Sequence, residues 1–148
     1  MVPKAFIEVH ASKEKVYAVL TDFKSYPEWC PFTRRLKGQL VEGAQLDMEV
    51  EMSAGSPLRH QRVTVAELTS GEKIVWTYTL LPWAPWLLHA VRAQRLSESP
   101  SNPGSATIYS TTDTMTGLLS PLVLFLYGAS VQKGFECIAR ALKQRAEA

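Results

Sequence analysis

From Thr33 to Thr114 the sequence reads as strand after strand, and only one later segment is long enough to cover the sheet they would form. Turn-forming clusters at Glu42–Gly43, Ala54–Gly55–Ser56–Pro57, Ser70–Gly71 and Ser99–Gly104 divide this stretch into six strands. Consecutive strands joined by short turns pair as an antiparallel meander. A single sheet of that width must bury one face against something. The available cover begins at Ser120–Pro121, read as an N-cap followed by proline at the first helical position. It continues to about Ala146, or about 39 Å of helix. Tyr127, Val131, Phe135, Ile138 and Leu142 recur in steps of four and three, with Gly134 beside them. Gln132, Glu136, Arg140, Lys143 and Glu147 take the other side, so this half of the helix is amphipathic.

Upstream, Lys4–His10 alternates as a short strand. Ser12 is placed to cap a helix over Lys13–Thr21, with Val16, Tyr17 and Leu20 on one side. Asp22–Phe32 is a compact turn or short second helix punctuated by Pro27 and Pro31. With no repeat or linker, the 148 residues predict one α+β domain over 1–148: a curved seven-stranded antiparallel sheet around a long C-terminal helix.

Composition narrows the function classes. Apolar residues make up 46% and charged residues 20%, which excludes a disordered or disulfide-scaffold chain. The net charge is +2, with basic residues interleaved among acidic ones, so nucleic acid is not an expected partner. Cys30 and Cys137 lie outside metal-ligand spacing, and two thiols suit a reducing compartment. The N-terminus enters strand-like alternation without a signal-peptide core. The most apolar stretch, Leu118–Val131, is broken by Pro121 and Gly128 and is shorter than the roughly 20 residues of a bilayer span. A cytoplasmic location is the expectation.

The run Ile7–Glu8–Val9–His10–Ala11–Ser12, then Val16–Tyr17, Asp22–Phe23, Tyr26–Pro27–Glu28–Trp29 and Pro31–Phe32, resembles the opening of START-like (SRPBCC) proteins. More narrowly, it is similar to the polyketide cyclase/dehydrase and lipid-transport group with the helix-grip fold. Val63–Thr64–Val65, Ile74–Val75–Trp76 and Gly117–Leu118–Leu119 extend the likeness over nearly the whole chain. The resemblance implies the fold and an internal cavity for a small hydrophobic molecule. It does not choose an activity, because one fold hosts many.

Alternation puts Ile74, Trp76, Tyr78 and Leu80 on one face of their strand and Val75, Thr77 and Thr79 on the other. The bulkier face should look toward the long helix. The resemblance aligns Arg92, Gln94 and Leu96 inward on the next strand, and Tyr109, Thr111 and Asp113 inward on the last, with Met115 at its end. With Tyr127, Val131 and Phe135 from the helix, these residues make a candidate pocket of apolar area and sparse polar groups. The plainer alternative is that Trp76, Tyr78 and Phe135 pack on one another as core. Arg92 and Asp113 would face each other as a cross-strand ion pair, either meeting a ligand or hydrated at the sheet end. Related proteins often carry histidine and glutamate at these two positions. Arginine cannot shuttle protons near neutral pH, which weakens an enzymatic reading.

Turns two strands apart emerge at the same end of a meander. Leu81–Trp86 and Met115–Ser120 should therefore share one edge. Trp83, Trp86, Leu122 and Phe125 would form an apolar rim there, suited to a membrane surface or homodimer, unless these loops fold down to plug the cavity.

His10, His60 and His89 show no metal-ligand spacing, Cys30 has no identifiable base, and no phosphate-binding glycine loop is present; no metal or cofactor is implied. Thr33–Arg34–Arg35 and Lys143–Gln144–Arg145 read as solvated faces. Three functions remain. The first is a binding or carrier protein for a lipid, polyketide-like or aromatic molecule. The second is a cyclase or dehydratase-type enzyme using Arg92, Asp113 and Tyr109. The third is a partner- or membrane-interacting protein using the rim. The balance leans away from an enzyme.

Overall fold

A computed structural model describes residues 2–53 and 55–148. Ala54, the first residue of one expected turn, lies outside them. Strand β1 (Lys4–Val9) leads into α1 (Lys13–Thr21), a 3-10 turn (Phe23–Ser25) and α2 (Tyr26–Trp29). Six strands follow: β2 (Thr33–Lys37), β3 (Gln45–Val50), β4 (Arg59–Thr69), β5 (Lys73–Thr79), β6 (His89–Glu98) and β7 (Thr107–Thr116). Helix α3 (Ser120–Glu147) ends the fold. The seven strands form one antiparallel sheet in the order β1-β7-β6-β5-β4-β3-β2. The meander is unbroken from β2 to β7, and β1 closes the far edge beside β7.

Local chemistry accounts for the helix starts. Ser12 is extended, and its hydroxyl accepts the Lys15 N–H at 3.2 Å, satisfying one donor that the first turn of α1 leaves free. The expected N-cap at Ser120 is corrected. Leu119 occupies that position in an already helical conformation, and the Ser120 hydroxyl donates backwards to the Gly117 carbonyl at 2.8 Å. The chain is steered into α3 by two backbone bonds instead, from Leu118 N–H to Trp86 O (3.0 Å) and from Leu119 N–H to Leu87 O (2.9 Å). Gly117 permits this approach. Its φ is +109°, and a Cβ there would lie 2.6 Å from the Leu87 carbonyl oxygen.

The concave face of the sheet holds the core. Val131, Phe135, Ile138, Ala139, Leu142 and Ala146 of α3 are buried against Val9, Leu46, Val65, Ile74 and Tyr109. By length and composition alone α3 could cross a membrane, its most apolar window reaching a mean hydropathy of 1.2. Its C-terminal half is nonetheless committed to the sheet.

The polar side of that half is not simply solvated. Gln132 accepts the Lys4 N–H at 2.8 Å and donates to the Lys4 carbonyl at 2.7 Å, mimicking a neighbouring strand. Lys143 donates to the Glu8 carbonyl at 2.9 Å, and Glu147 accepts the His10 N–H at 2.8 Å. These side chains cover the free edge of β1, which would otherwise offer unpaired backbone groups to another chain. Arg34, read as solvated, also binds backbone, donating to the Cys30 carbonyl at 2.7 Å and the Pro27 carbonyl at 3.1 Å. It thereby ties α2 to the opposite edge strand.

Phe32 packs closely against Gly134, where an added Cβ would come within 2.2 Å of its ring. The ring is buried and meets Phe135 edge-on at 5.9 Å, so making room for a methyl group would require it to give up that contact. Gly134→Ala is expected to destabilise the protein by about 1–3 kcal/mol by overpacking, outweighing the roughly 1 kcal/mol that alanine gains in a helix. Urea unfolding of the two proteins checks the sign.

Candidate functional site

Toward one end of the sheet α3 rises off the strands, and a cavity of about 270 Å³ opens beneath it. Trp76, Tyr78 and Leu80 of the β5 side, Ala90 and Arg92 of β6, and Asp113 and Met115 of β7 form one wall. Tyr127, Val131 and Phe135 form the roof, continued by Leu119 and Val123. Sequence reasoning missed the other wall: Met48 and Val50 on β3, Arg59, Gln61 and Val63 on β4, with Met52 and Phe32 beside them. The signal was present, since Leu46, Met48 and Val50 alternate inward and pair with a matching set on β4.

Three expected pocket residues do not line the cavity. Gln94, Tyr109 and Thr111 point inward but lie deeper, fully packed beneath its floor. There they hold Arg92. Its Nε donates to Thr111 Oγ1 at 3.1 Å, and Nη2 lies 3.5 Å from Gln94 Oε1. That same oxygen accepts the Tyr109 hydroxyl at 2.6 Å. Tyr109, a candidate catalytic residue, is completely buried, so its hydroxyl cannot reach a molecule in the cavity. Burial raises the pKa of that hydroxyl, although Arg92 nearby pulls it down.

Arg92 is only 8% exposed. Its guanidinium stands 4.5 Å from the centre of the Phe135 ring and 5.6 Å from that of Trp76, where aromatic faces favour a cation. The anticipated ion pair with Asp113 is not formed. The two residues are directly opposed in the β6–β7 register, yet Arg92 makes no salt bridge among the described residues. The guanidinium is drawn down toward Thr111 and Gln94 instead of across to the carboxylate. Asp113 Oδ1 is consequently shut off from solvent without a hydrogen-bond partner. Burial lifts the Asp113 pKa from 3.8 to about 6, with Arg92 opposing the rise.

At the mouth, Arg59 lies 4.6 Å over the Tyr127 ring and donates to its hydroxyl at 3.2 Å. The rim residues stand around this end, exposed to solvent: Trp83 is 77% exposed, Trp86 61%, Leu122 53% and Phe125 85%. They do not plug the cavity; Leu88, Leu119 and Val123 face it in their place. Neither Leu80–Leu88 nor Thr114–Gln132 carries a charged residue.

The remaining candidates lie apart from the cavity. His10 is 4.0 Å from Glu8, His60 is 3.6 Å from Asp47, and His89 is 2.9 Å from the Thr79 hydroxyl. Cys30 is a buried free thiol whose pKa is raised by that burial, the opposite of an activated nucleophile.

The family described as polyketide cyclase / dehydrase and lipid transport matches residues 4–147. The chain belongs to that family, and its sheet and long helix are the helix-grip fold of the START-like superfamily. Among solved structures it is similar to the ZhuI aromatase/cyclase of Streptomyces sp. R1128, at 14% identity and a TM-score of 0.72. That match covers 99% of this chain and 93% of the other. A START superfamily protein of Mycobacterium smegmatis matches at 19% identity and a TM-score of 0.69, covering 99% and 97% of the two chains. Protein MLL2253 of Mesorhizobium loti matches at 16% and 0.69, covering 97% and 96%. At these identities the likeness is one of fold. No curated protein sequence matches the chain.

An ionised Asp113 at neutral pH carries a cost that protonation removes. Its folded pKa of about 6 lies above the unfolded value, so its contribution to stability is fully present below about pH 4 and is lost as pH rises through 6. Asp113→Asn should therefore stabilise the protein at pH 7.5 by about 1–3 kcal/mol. The gain should fade by pH 4. Paired thermal melts at the two pH values test this, and a gain that grew on acidification would contradict it.

Proposed function

We propose that the protein binds and carries a small hydrophobic molecule in the cavity beneath α3, loading and releasing it where the apolar rim meets a lipid surface. The observation that carries this reading is the continuity of apolar surface from chamber to exterior. Leu80, Leu88, Leu119 and Val123 line the inside, and Trp83, Trp86, Leu122 and Phe125 stand immediately outside. Membership of a family of cyclases and lipid-transport proteins supports the binding of such a ligand. At about 270 Å³ the cavity lies just below the usual range for ligand sites, roughly 300–1,000 Å³, which suits a small ligand.

Holding a molecule suits this arrangement better than transforming it. Of the three groups an enzymatic reading would use, Tyr109 is sealed off and Arg92 offers a guanidinium, which holds charge and does not relay protons. Asp113 alone remains as a titrating group against the cavity.

A lipid surface is the occupant argued for the rim because tryptophan favours the membrane–water boundary and because transfer there keeps an apolar ligand out of water. The absence of charge from Leu80–Leu88 and Thr114–Gln132 makes the contact hydrophobic, so it should depend little on anionic lipid or salt.

Native mass spectrometry with organic extraction should reveal one hydrophobic molecule per chain. Sedimentation with phosphatidylcholine vesicles should show partitioning that falls more than tenfold in a Trp83→Ser/Phe125→Ser variant, since each ring contributes about 1.5–3 kcal/mol when buried. Both side chains are exposed, so the thermal midpoint should barely move. A chain that ignores vesicles and sediments as a dimer broken by the same substitutions would overturn the lipid contact.

A further inference from the structure

The floor of the cavity has an unmet electrostatic requirement. Arg92 is a buried cation with no carboxylate within salt-bridge distance, and its hydrogen bonds use Nε and Nη2 only. Its partners there, Thr111 and Gln94, are neutral, and the rings that flank it stabilise charge without neutralising it. The charged groups lining the cavity are Arg92, Arg59 and Asp113, two cations against one carboxylate. Asp113, opposite Arg92 in register, lines the cavity wall, and one of its carboxylate oxygens, Oδ1, is shut off from solvent with nothing in the protein to satisfy it.

We infer that the natural ligand is an amphiphile with a single carboxylate, seated head-down against Arg92, and that Asp113 takes up a proton from solvent as it binds. The inference deepens the binding function proposed above and rests on it. A ligand carboxylate supplies the anion that Arg92 lacks, through the donors its protein partners leave free. It also brings a second negative charge beside Asp113. Two carboxylates crowded into one desolvated space retain a proton between them. Asp113 is already close to holding one, since burial has brought its pKa to about 6. Once protonated, it can donate to the ligand head, and its orphaned oxygen no longer carries a charge.

No other group facing Asp113 can take the proton's place. The others lining this space are two guanidiniums, Arg92 on β6 and Arg59 on β4, and two phenols, Tyr78 on β5 and Tyr127 on α3, with no second carboxylate or imidazole among them; burial raises the pKa of the Tyr78 phenol. On β1 the residues paired with this face of β7 are Ala5 and Ile7, neither of which titrates. The tail of the ligand would lie along Trp76, Val131 and Phe135 toward the mouth.

Decanoate and decanol share a tail and differ in the head, which makes them the probes. Isothermal titration of the delipidated protein should show decanoate binding more tightly than decanol. Decanoate affinity should weaken by up to tenfold per pH unit between pH 6.5 and 8, while decanol affinity stays level. Titration in buffers of different ionisation enthalpy should report an uptake of between about half and one proton. Asp113→Asn should abolish both the pH dependence and the uptake, and Arg92→Met should lose the preference for decanoate while keeping decanol. Should Arg92→Met fail to fold, the pH and buffer measurements on the unaltered protein decide alone. Equal binding of the two probes without proton uptake would overturn the anionic ligand and leave the binding function standing. Binding of neither would overturn both.

Discussion

Seven strands present more concave surface than one helix can cover. Helix α3 cannot lie flat along the whole sheet. Its C-terminal half is fixed to the β1 edge by Gln132, Lys143 and Glu147 and sunk into the core through Phe135, Ile138 and Leu142. Its N-terminal half is set by a different anchor, the backbone bonds from Leu118 and Leu119 to the β5–β6 loop. Between these two attachments the helix spans the open end of the sheet, and the cavity is the space left over. The void is a geometric outcome of the fold before it is anything else, which explains how one architecture can serve several chemistries.

What distinguishes this chain is the material placed around the void. Arginine is poorly suited to proton transfer but well suited to holding a fixed positive charge between aromatic rings. Thr111, Gln94 and Tyr109 anchor it from below, so its position does not depend on a ligand or on Asp113. This packing removes Arg92 from the reach of Asp113 although the two are opposed in register. The carboxylate is left raised in pKa and unpaired. A preorganised cation and a neighbouring acid near its titration point follow from one hydrogen-bond pattern.

The sequence carried the order of elements well, because turn clusters and two periodicities are local properties. The Ser12 cap, the bounds of α1 and the stripe from Tyr127 to Leu142 rest on such signals. The shared edge of the β5–β6 loop and the β7–α3 connection followed from meander parity alone. The family resemblance put Gln94, Tyr109 and Thr111 on the inner face, but it gives a face and not a depth. How far along the strands the helix lifts away decides whether an inward side chain lines a cavity or lies under it. In the same way, helical period put Gln132, Lys143 and Glu147 on the polar side of α3 without telling water from an unpaired strand edge. The wall formed by Met48, Val50, Gln61 and Val63 carries the alternation of any core strand, so nothing local marks it as facing a cavity.

Elsewhere the molecule satisfies its polar groups closely. Among the described residues three buried side-chain atoms lack a hydrogen bond: Trp29 Nε1, Thr33 Oγ1 and Asp113 Oδ1. The first two belong to a neutral ring and a hydroxyl outside the cavity wall, where the loss is modest. The third belongs to an ionisable group on the cavity wall, near a buried cation that lacks a salt-bridge partner. Departures from internal consistency tend to collect where a protein meets something else. Two of them fall on opposed residues of adjacent strands, at the one place where the core was left open. A ligand bearing one negative charge answers both at once, whereas a purely apolar ligand would fill the volume and leave the electrostatic cost in place.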